Sequence, residues 1–199
     1  MLIVVEGCVG AGKSTVAKSL AACRGSKTLL EEFEQNPFLS AFYEDPVANA
    51  TETEFAFLLL HFHQLKQHAG DVENGEIVSD FHLGKDLLYA NTNLTDSKTL
   101  RIFKELHDDL VAQVAIPAIM ICLSATTDLL IERIRQRNRT FELKIDPGYY
   151  GDINAAYEDF FRAYKGRKVR ISMDEWDFVQ TPGLGEKLSL LVDAELKKP

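Results

Sequence analysis

Residues 7–15, with the apolar run before them, restrict this chain to few folds. Leu2 to Val5 is an unbroken apolar stretch, and it runs into Gly7, Gly10, Ala11, Gly12, Lys13, Ser14 and Thr15. Gly7, Gly12, Lys13 and Ser14 fit the phosphate-binding pattern G-x-x-x-x-G-K-[ST] without a mismatch. Ser14 to Ala22 then reads as a helix. A strand, a glycine loop and a helix in that order aim backbone N–H groups and the positive end of the helix at one anionic spot. Lys13 is expected to reach the β- and γ-phosphates, and the Ser14 hydroxyl to hold Mg²⁺. A chance match in a glycine-rich turn is the alternative, and the flanking strand and helix weigh against it. The pattern implies a nucleoside triphosphate site.

Strand-like and helical stretches alternate through the rest of the chain. Thr28 to Glu31, Ile77 to Ser79, Ala118 to Leu123 and Lys168 to Ser172 read as further strands. A turn and short helix run from Asn36 and Pro37 through Tyr43, closed by Asp45 and Pro46. A long helix is expected over Thr51 to Ala69, capped by Thr51 or Thr53, with Phe55, Leu58, Leu59, Phe62 and Leu65 on its apolar face. Others cover about Thr95 to Ala115, from Thr126 or Thr127 into Arg133–Arg139, Tyr149 to Tyr164, and Pro182 to Leu196. This predicts an α/β fold: a doubly wound, five-stranded parallel sheet with helices on both faces. Ligands bind beyond the carboxyl ends of such strands, where Gly7, Glu31 and Asp80 all fall.

The 199 residues are expected to form one domain, 1–199, able to bury about 70% of its unfolded surface. A formal charge of −8 argues against a sequence-independent grip on nucleic acid, which needs a basic footprint. Cys8, Cys23 and Cys122 lack metal-type spacing, so core packing in a reducing compartment is expected. The longest apolar stretch, Val111 to Leu123, is interrupted by Gln113 and Pro117 and is too short for a bilayer. No signal segment is expected before the first strand. The expectation is a cytoplasmic protein without membrane partners.

Glu31, at the second strand's end, can accept the proton of an attacking hydroxyl near the γ-phosphate. Glu32 and Glu34 compete for the role, and a solvated loop charge is the plain alternative for each. The stretch Glu31, Glu34, Asn36, Pro37 and Leu39, followed by Tyr43 and Pro46, resembles the deoxynucleoside kinase family, whose pattern is E-P-V-E-x-N-P-x-L and then Y-x-x-P. The resemblance implies a P-loop kinase using ATP and Mg²⁺, with Glu31 activating the sugar 5′-hydroxyl and Tyr43 contacting the sugar at its 3′-hydroxyl. Arg133, Arg137, Arg139 and Glu142 likewise resemble the family's lid, R-x-x-x-R-x-R-x-x-E, which implies an arginine-rich lid over about 133–147. By that match Arg137 and Arg139 clamp phosphates, Arg133 lies over the adenine, and Glu142 reaches the sugar. Arg135 reads as surface. Asp177 and Phe178 match the loop around the donor base, although a plain turn explains them equally.

The chain departs from the family in two places. Glu32 stands for a proline, and the usual [DE]-R-S after the third strand is Asp80, Phe81 and His82. Asp80 can still hold Mg²⁺. Lys85 can fill the missing positive charge or be a solvated helix charge; His82 reads as an ordinary satisfied histidine. The family's base-reading glutamine falls at Glu54 and a following arginine at His61. Ionised Glu54 only accepts hydrogen bonds, which favours a purine deoxynucleoside, guanine slightly ahead, over thymine; an exposed acid in the helix's first turn is the alternative. Asp86 and Tyr89 are further pocket candidates. A thymidylate-type monophosphate kinase would need an arginine near residues 31–50 for the acceptor's phosphate, and none lies between Arg24 and Arg101. A nucleotide-dependent switch protein is the rival from another class, against which the lid arginines and Tyr43 weigh. Family members are usually homodimers, and the resemblance implies one here.

Overall fold

The computed structural model describes residues 1–198. Chain order is β1 (Leu2–Gly7), α1 (Lys13–Arg24), β2 (Lys27–Leu29), α2 (Leu39–Glu44), α3 (Pro46–Gln67), α4 (Ala69–Asn74), β3 (Ile77–Ser79), α5 (Gly84–Asn93), α6 (Ser97–Val111), β4 (Ile119–Ser124), α7 (Thr127–Arg137), α8 (Pro147–Ala163), β5 (Lys168–Ser172) and α9 (Leu184–Leu196). The strands form one five-stranded sheet in the order β2-β3-β1-β4-β5. All pairs are parallel, and the register sets Val4 beside Ser79 on one side and Met120 on the other.

Every residue of β1 is buried, as a central parallel strand covered on both faces requires. Its side chains alternate between two cores. Ile3 and Val5 join Val16, Ala17 and Leu20 of α1 and Leu188 and Val192 of α9. Leu2 and Val4 join Leu58 of α3, Ala90 of α5 and Phe103 of α6. The chain fills the β2–β3 side of β1 first and the β4–β5 side later, so the order reverses at β1, where the glycine loop begins. That reversal is where open parallel sheets leave a crevice for ligands.

Four expectations are corrected. The long helix begins at Pro46, five residues before Thr51, because Asp45 caps it by accepting from the Ala48 N–H (3.1 Å) and Pro46 suits the first helical position. Thr53 is buried inside the helix, and Leu59, expected on the apolar face, is half exposed. β2 ends at Leu29, so Glu31 lies two residues beyond it in a loop. Cys8 and Cys122 are buried as expected, but Cys23 is exposed.

Candidate active site

The phosphate-loop residues adopt a tight curl between β1 and α1. Gly10 has φ 85°, a left-handed conformation, and a Cβ there would stand 2.8 Å from the Leu130 carbonyl oxygen. Gly7 is equally confined: a Cβ would meet the Leu123 oxygen at 2.9 Å. Lys13 Nζ donates to the carbonyls of Gly7 (2.8 Å) and Cys8 (3.2 Å). Ser14 Oγ donates to Asp80 Oδ2, which joins the start of α1 to the end of β3. Ala11 is buried and Thr15 exposed in the first turn of α1.

A cleft beside this loop is lined by Lys13, Ser14, Glu31, Asp80, Arg137 and Arg139 at its phosphate-loop end, and by Tyr43, Glu54, Asp86, Tyr89 and Glu142 elsewhere. Of the three competing acids, Glu31 alone lines it; Glu32 and Glu34 are exposed. The Glu31 N–H donates to Asp80 Oδ1 at 2.7 Å, so the acid's backbone is tied to the carboxylate that Ser14 touches. Glu31 Oε2 lies 2.6 Å from Lys85 Nζ, and Oε1 lies 3.1 Å from His61 Nε2. Burial by itself raises the Glu31 pKa, but Lys85, His61 and Lys13 together outweigh it and hold the acid well below the carboxylate range.

Lys85 is 6% exposed, which excludes the solvated helix charge. Burial disfavours its cation, yet Glu31, Glu6 and Asp86 raise its pKa. Phe81, at the family's arginine position, is fully buried. The missing positive charge is therefore present, but it comes from α5 one turn later. His82 does not line the cleft, and it is not the satisfied histidine expected: it is buried, its backbone N–H donates to Glu6 Oε1 (2.9 Å), its ring Nε2 has no partner among the described residues, and burial depresses its imidazole to about 4.

Arg137 and Arg139 converge on Glu142. Arg137 donates from Nε (2.8 Å) and Nη2 (2.6 Å), a two-pronged contact, and Arg139 Nη1 lies 3.4 Å from the same carboxylate. Arg139 also lies over the Phe33 ring, 4.1 Å from its centroid. Asn138 makes this possible: its left-handed conformation (φ 53°) ends α7 and turns the chain back. Arg135 is exposed. Arg133 does not line the cleft and donates to the Met173 carbonyl at 3.3 Å. Asp177 accepts from the Val179 and Gln180 N–H groups in a local turn, and Phe178 packs on Trp176 at 5.8 Å.

Tyr43 is 7% exposed, 5.2 Å from the Phe141 ring, on the cleft wall. For Glu54 the structure excludes the alternative of an exposed acid in the helix's first turn: the residue sits in the third turn of α3 and is 3% exposed. Its Oε1 accepts from Asn93 Nδ2 at 2.7 Å, and no cation pairs with it among the described residues. Burial, with Asp86 nearby, raises its pKa to about 8. The neutral acid, a donor as well as an acceptor, is thereby favoured, which weakens the argument from an acceptor-only side chain against thymine. His61 is the residue whose importance the sequence left unstated. It is seven residues beyond Glu54, two helical turns along the same face, and that spacing is the signal that aligns the two.

Comparisons with known proteins give the family. The family model described as deoxynucleoside kinase matches residues 3–195. A deoxyguanosine kinase of Bacillus subtilis is 30% identical over 158 residues, covering 78% of this chain and 76% of that protein. A deoxyadenosine kinase of Lactobacillus acidophilus is 26% identical, covering 99% and 97%. Among solved structures, deoxyadenosine kinase from M. mycoides with dCMP and dCDP superimposes with a TM-score of 0.85 at 26% identity, covering 98% of this chain and 100% of that one. With near-complete coverage by the family model, and with Glu31, Asp80 and the glycine loop meeting at one cleft, this chain belongs to the deoxynucleoside kinase family.

Proposed function

We propose that the protein transfers the γ-phosphate of ATP to the 5′-hydroxyl of a purine deoxyribonucleoside, with Mg²⁺ at the phosphates. The observation that carries this reading is Glu31: a carboxylate on the cleft wall, paired with Lys85 and His61, its backbone tied to Asp80 beside Ser14. Glu31 accepts the hydroxyl proton as the new O–P bond forms. In a loose transition state the hydroxyl loses its proton late, so placement counts for more than basicity, and a strongly acidic Glu31 suits the task. Lys13, Arg137 and Arg139 face the charge on the transferring group's oxygens, the arginines trading part of their contact with Glu142 for phosphate.

Ser14 and Asp80 offer hard oxygens within hydrogen-bond reach of one another, which suits an ion that takes one or two protein groups and keeps water and phosphate for the rest. Bound there, Mg²⁺ would neutralise phosphate charge. Arg133, Asp177 and Phe178 are assigned to the donor's adenine, Tyr43 and Glu142 to the acceptor sugar, and Glu54, Asp86 and Tyr89 to its base. The names of the similar deoxyguanosine and deoxyadenosine kinases support a purine. A homodimer is part of the reading: half-exposed Leu59 and Ile102 lie on the mutually packed α3 and α6, where a second copy would cover them. No helix among the described residues is long and apolar enough to cross a membrane.

The test is a coupled phosphorylation assay with ATP and Mg²⁺ across the four deoxynucleosides and their ribose counterparts. Turnover of deoxyadenosine or deoxyguanosine well above thymidine is expected. Thymidine preference would overturn the purine assignment, and no turnover of any nucleoside would overturn the reading.

A further inference from the structure

His61 is 1% exposed and enclosed by the rings of Phe57 (5.3 Å) and Phe81 (4.9 Å). Its two ring nitrogens meet different carboxylates: Nδ1 lies 2.7 Å from Asp86 Oδ1, and Nε2 lies 3.1 Å from Glu31 Oε1. A neutral imidazole has one N–H and one lone pair. It can donate to one of these carboxylates, but it would then turn a lone pair on the other. With both carboxyls ionised, both contacts at hydrogen-bond distance require both nitrogens to be protonated, and the ring is then an imidazolium bridge.

The bridge spans two parts of the cleft. Glu31 is tied to Asp80 beside the phosphate loop, whereas Asp86 Oδ2 is buried without a partner on a wall shared with Glu54. We infer that His61 is a positioning residue: held as a cation between two buried carboxylates, it fixes Glu31 for the acceptor hydroxyl and joins it to the wall that takes the base. This rests on the reading of Glu31 as the proton acceptor. The charged and titratable groups acting on the ring are Glu31 from the loop after β2, Asp86 and Lys85 from α5, Glu54 from α3 itself, and His82 before α5. Burial opposes the cation, but Asp86 and Glu31 outweigh burial and Lys85 and raise its pKa to about 9. When the proton leaves, one contact must break. The Asp86 contact is the shorter and more buried, so Glu31 is the one released.

The test is the pH dependence of kcat between about pH 7 and 10 for the wild-type protein, His61→Gln, His61→Arg and Glu54→Gln. Wild-type kcat is expected to fall with a midpoint near 9. His61→Gln lowers kcat about ten- to a hundredfold, the scale of a misplaced catalytic group, leaves KM for ATP unchanged and removes the alkaline limb. His61→Arg, permanently charged, recovers part of kcat and also lacks the limb. Glu54→Gln removes one other nearby group raised into this range and keeps the limb, whatever it does to nucleoside KM. An NMR titration of the His61 ring in the wild-type chain covers the case of variants that fail to fold. A neutral ring at pH 7, or His61→Gln with wild-type kcat and limb, overturns the inference. A wild-type chain that phosphorylates no deoxynucleoside overturns the functional reading and this inference with it; a neutral ring in a chain that does turn over overturns the inference alone.

Discussion

Lys85 replaces a charge that the neighbouring sequence lacks. Phe81 is fully buried where the family resemblance calls for arginine, and Lys85 reaches back to Glu31 Oε2 at 2.6 Å from one helical turn later. Lys85→Met removes one of the acid's two cationic partners while His61 remains. A loss of about 3 kcal/mol, the low end for breaking a buried pair, is expected from urea unfolding, together with reduced kcat. Unchanged stability would mean the pair contributes nothing. Glu54→Gln is a sharper probe. Glutamine offers a donor and an acceptor, as the protonated acid does, so the order of nucleoside preference at pH 7 is expected to survive. Above about 8 the wild-type side chain ionises and the variant's does not, and their preferences should diverge. Identical profiles at both pH values would show that Glu54 does not touch the base. The residue types were legible in the sequence, but the ionisation of Glu54 was not, because it is set by burial and by Asp86 from another helix.

At the scale of elements, helix α3 carries most of what had to be corrected. It starts at Pro46 and not at Thr51 because a proline after an aspartate, which can close a turn, is equally a first helical residue. Asp45→Ala is expected to cost about 1 kcal/mol in thermal or denaturant unfolding, the usual effect of losing such a cap. An unchanged midpoint would deny the cap its role. The strands β3 and β5 were legible because their apolar runs are short and bounded, and β2 is shorter because the Leu30 carbonyl accepts from Gln64 Nε2 (2.8 Å) and the Glu31 N–H donates to Asp80 rather than to a neighbouring strand. Elements β1 and α3 also bring three buried titratable groups inward whose pKa is raised: Glu6 from 4.5 to about 7, Glu54 from 4.5 to about 8, and His61 from 6.5 to about 9. In each case the folded state holds the proton more tightly than the unfolded chain. Their stabilising contribution is therefore full below the unfolded pKa and lost as pH rises through the folded one. Stability should fall from pH 7 to pH 9, by at most about 1.4 kcal/mol per pH unit per group. Urea midpoints across that range check the sign, and Glu54→Gln should flatten part of the slope.

The whole molecule brings distant segments to one cleft through a single topological fact: the strand order reverses at β1. The glycine loop follows β1, Glu31 follows β2, Asp80 follows β3, and α7 carries the arginines over from the β4 side. This convergence could be foreseen from alternating strands and helices. The pairing of Arg137 and Arg139 with one buried Glu142 could not, since it depends on Asn138 reversing the chain. Arg139→Ala is expected to lower kcat by about 10³–10⁵, the scale of a phosphate-clamping arginine in related phosphate-loop enzymes, with the fold unchanged by circular dichroism. Near-normal turnover would assign the clamp to Arg137 alone. The most direct test of the account is Glu31→Gln, measured for ATP binding and for turnover of the preferred deoxynucleoside. Retained ATP affinity with kcat reduced by about 10²–10⁴ is the expected result. A kcat close to wild type would contradict it and remove Glu31 from the reaction.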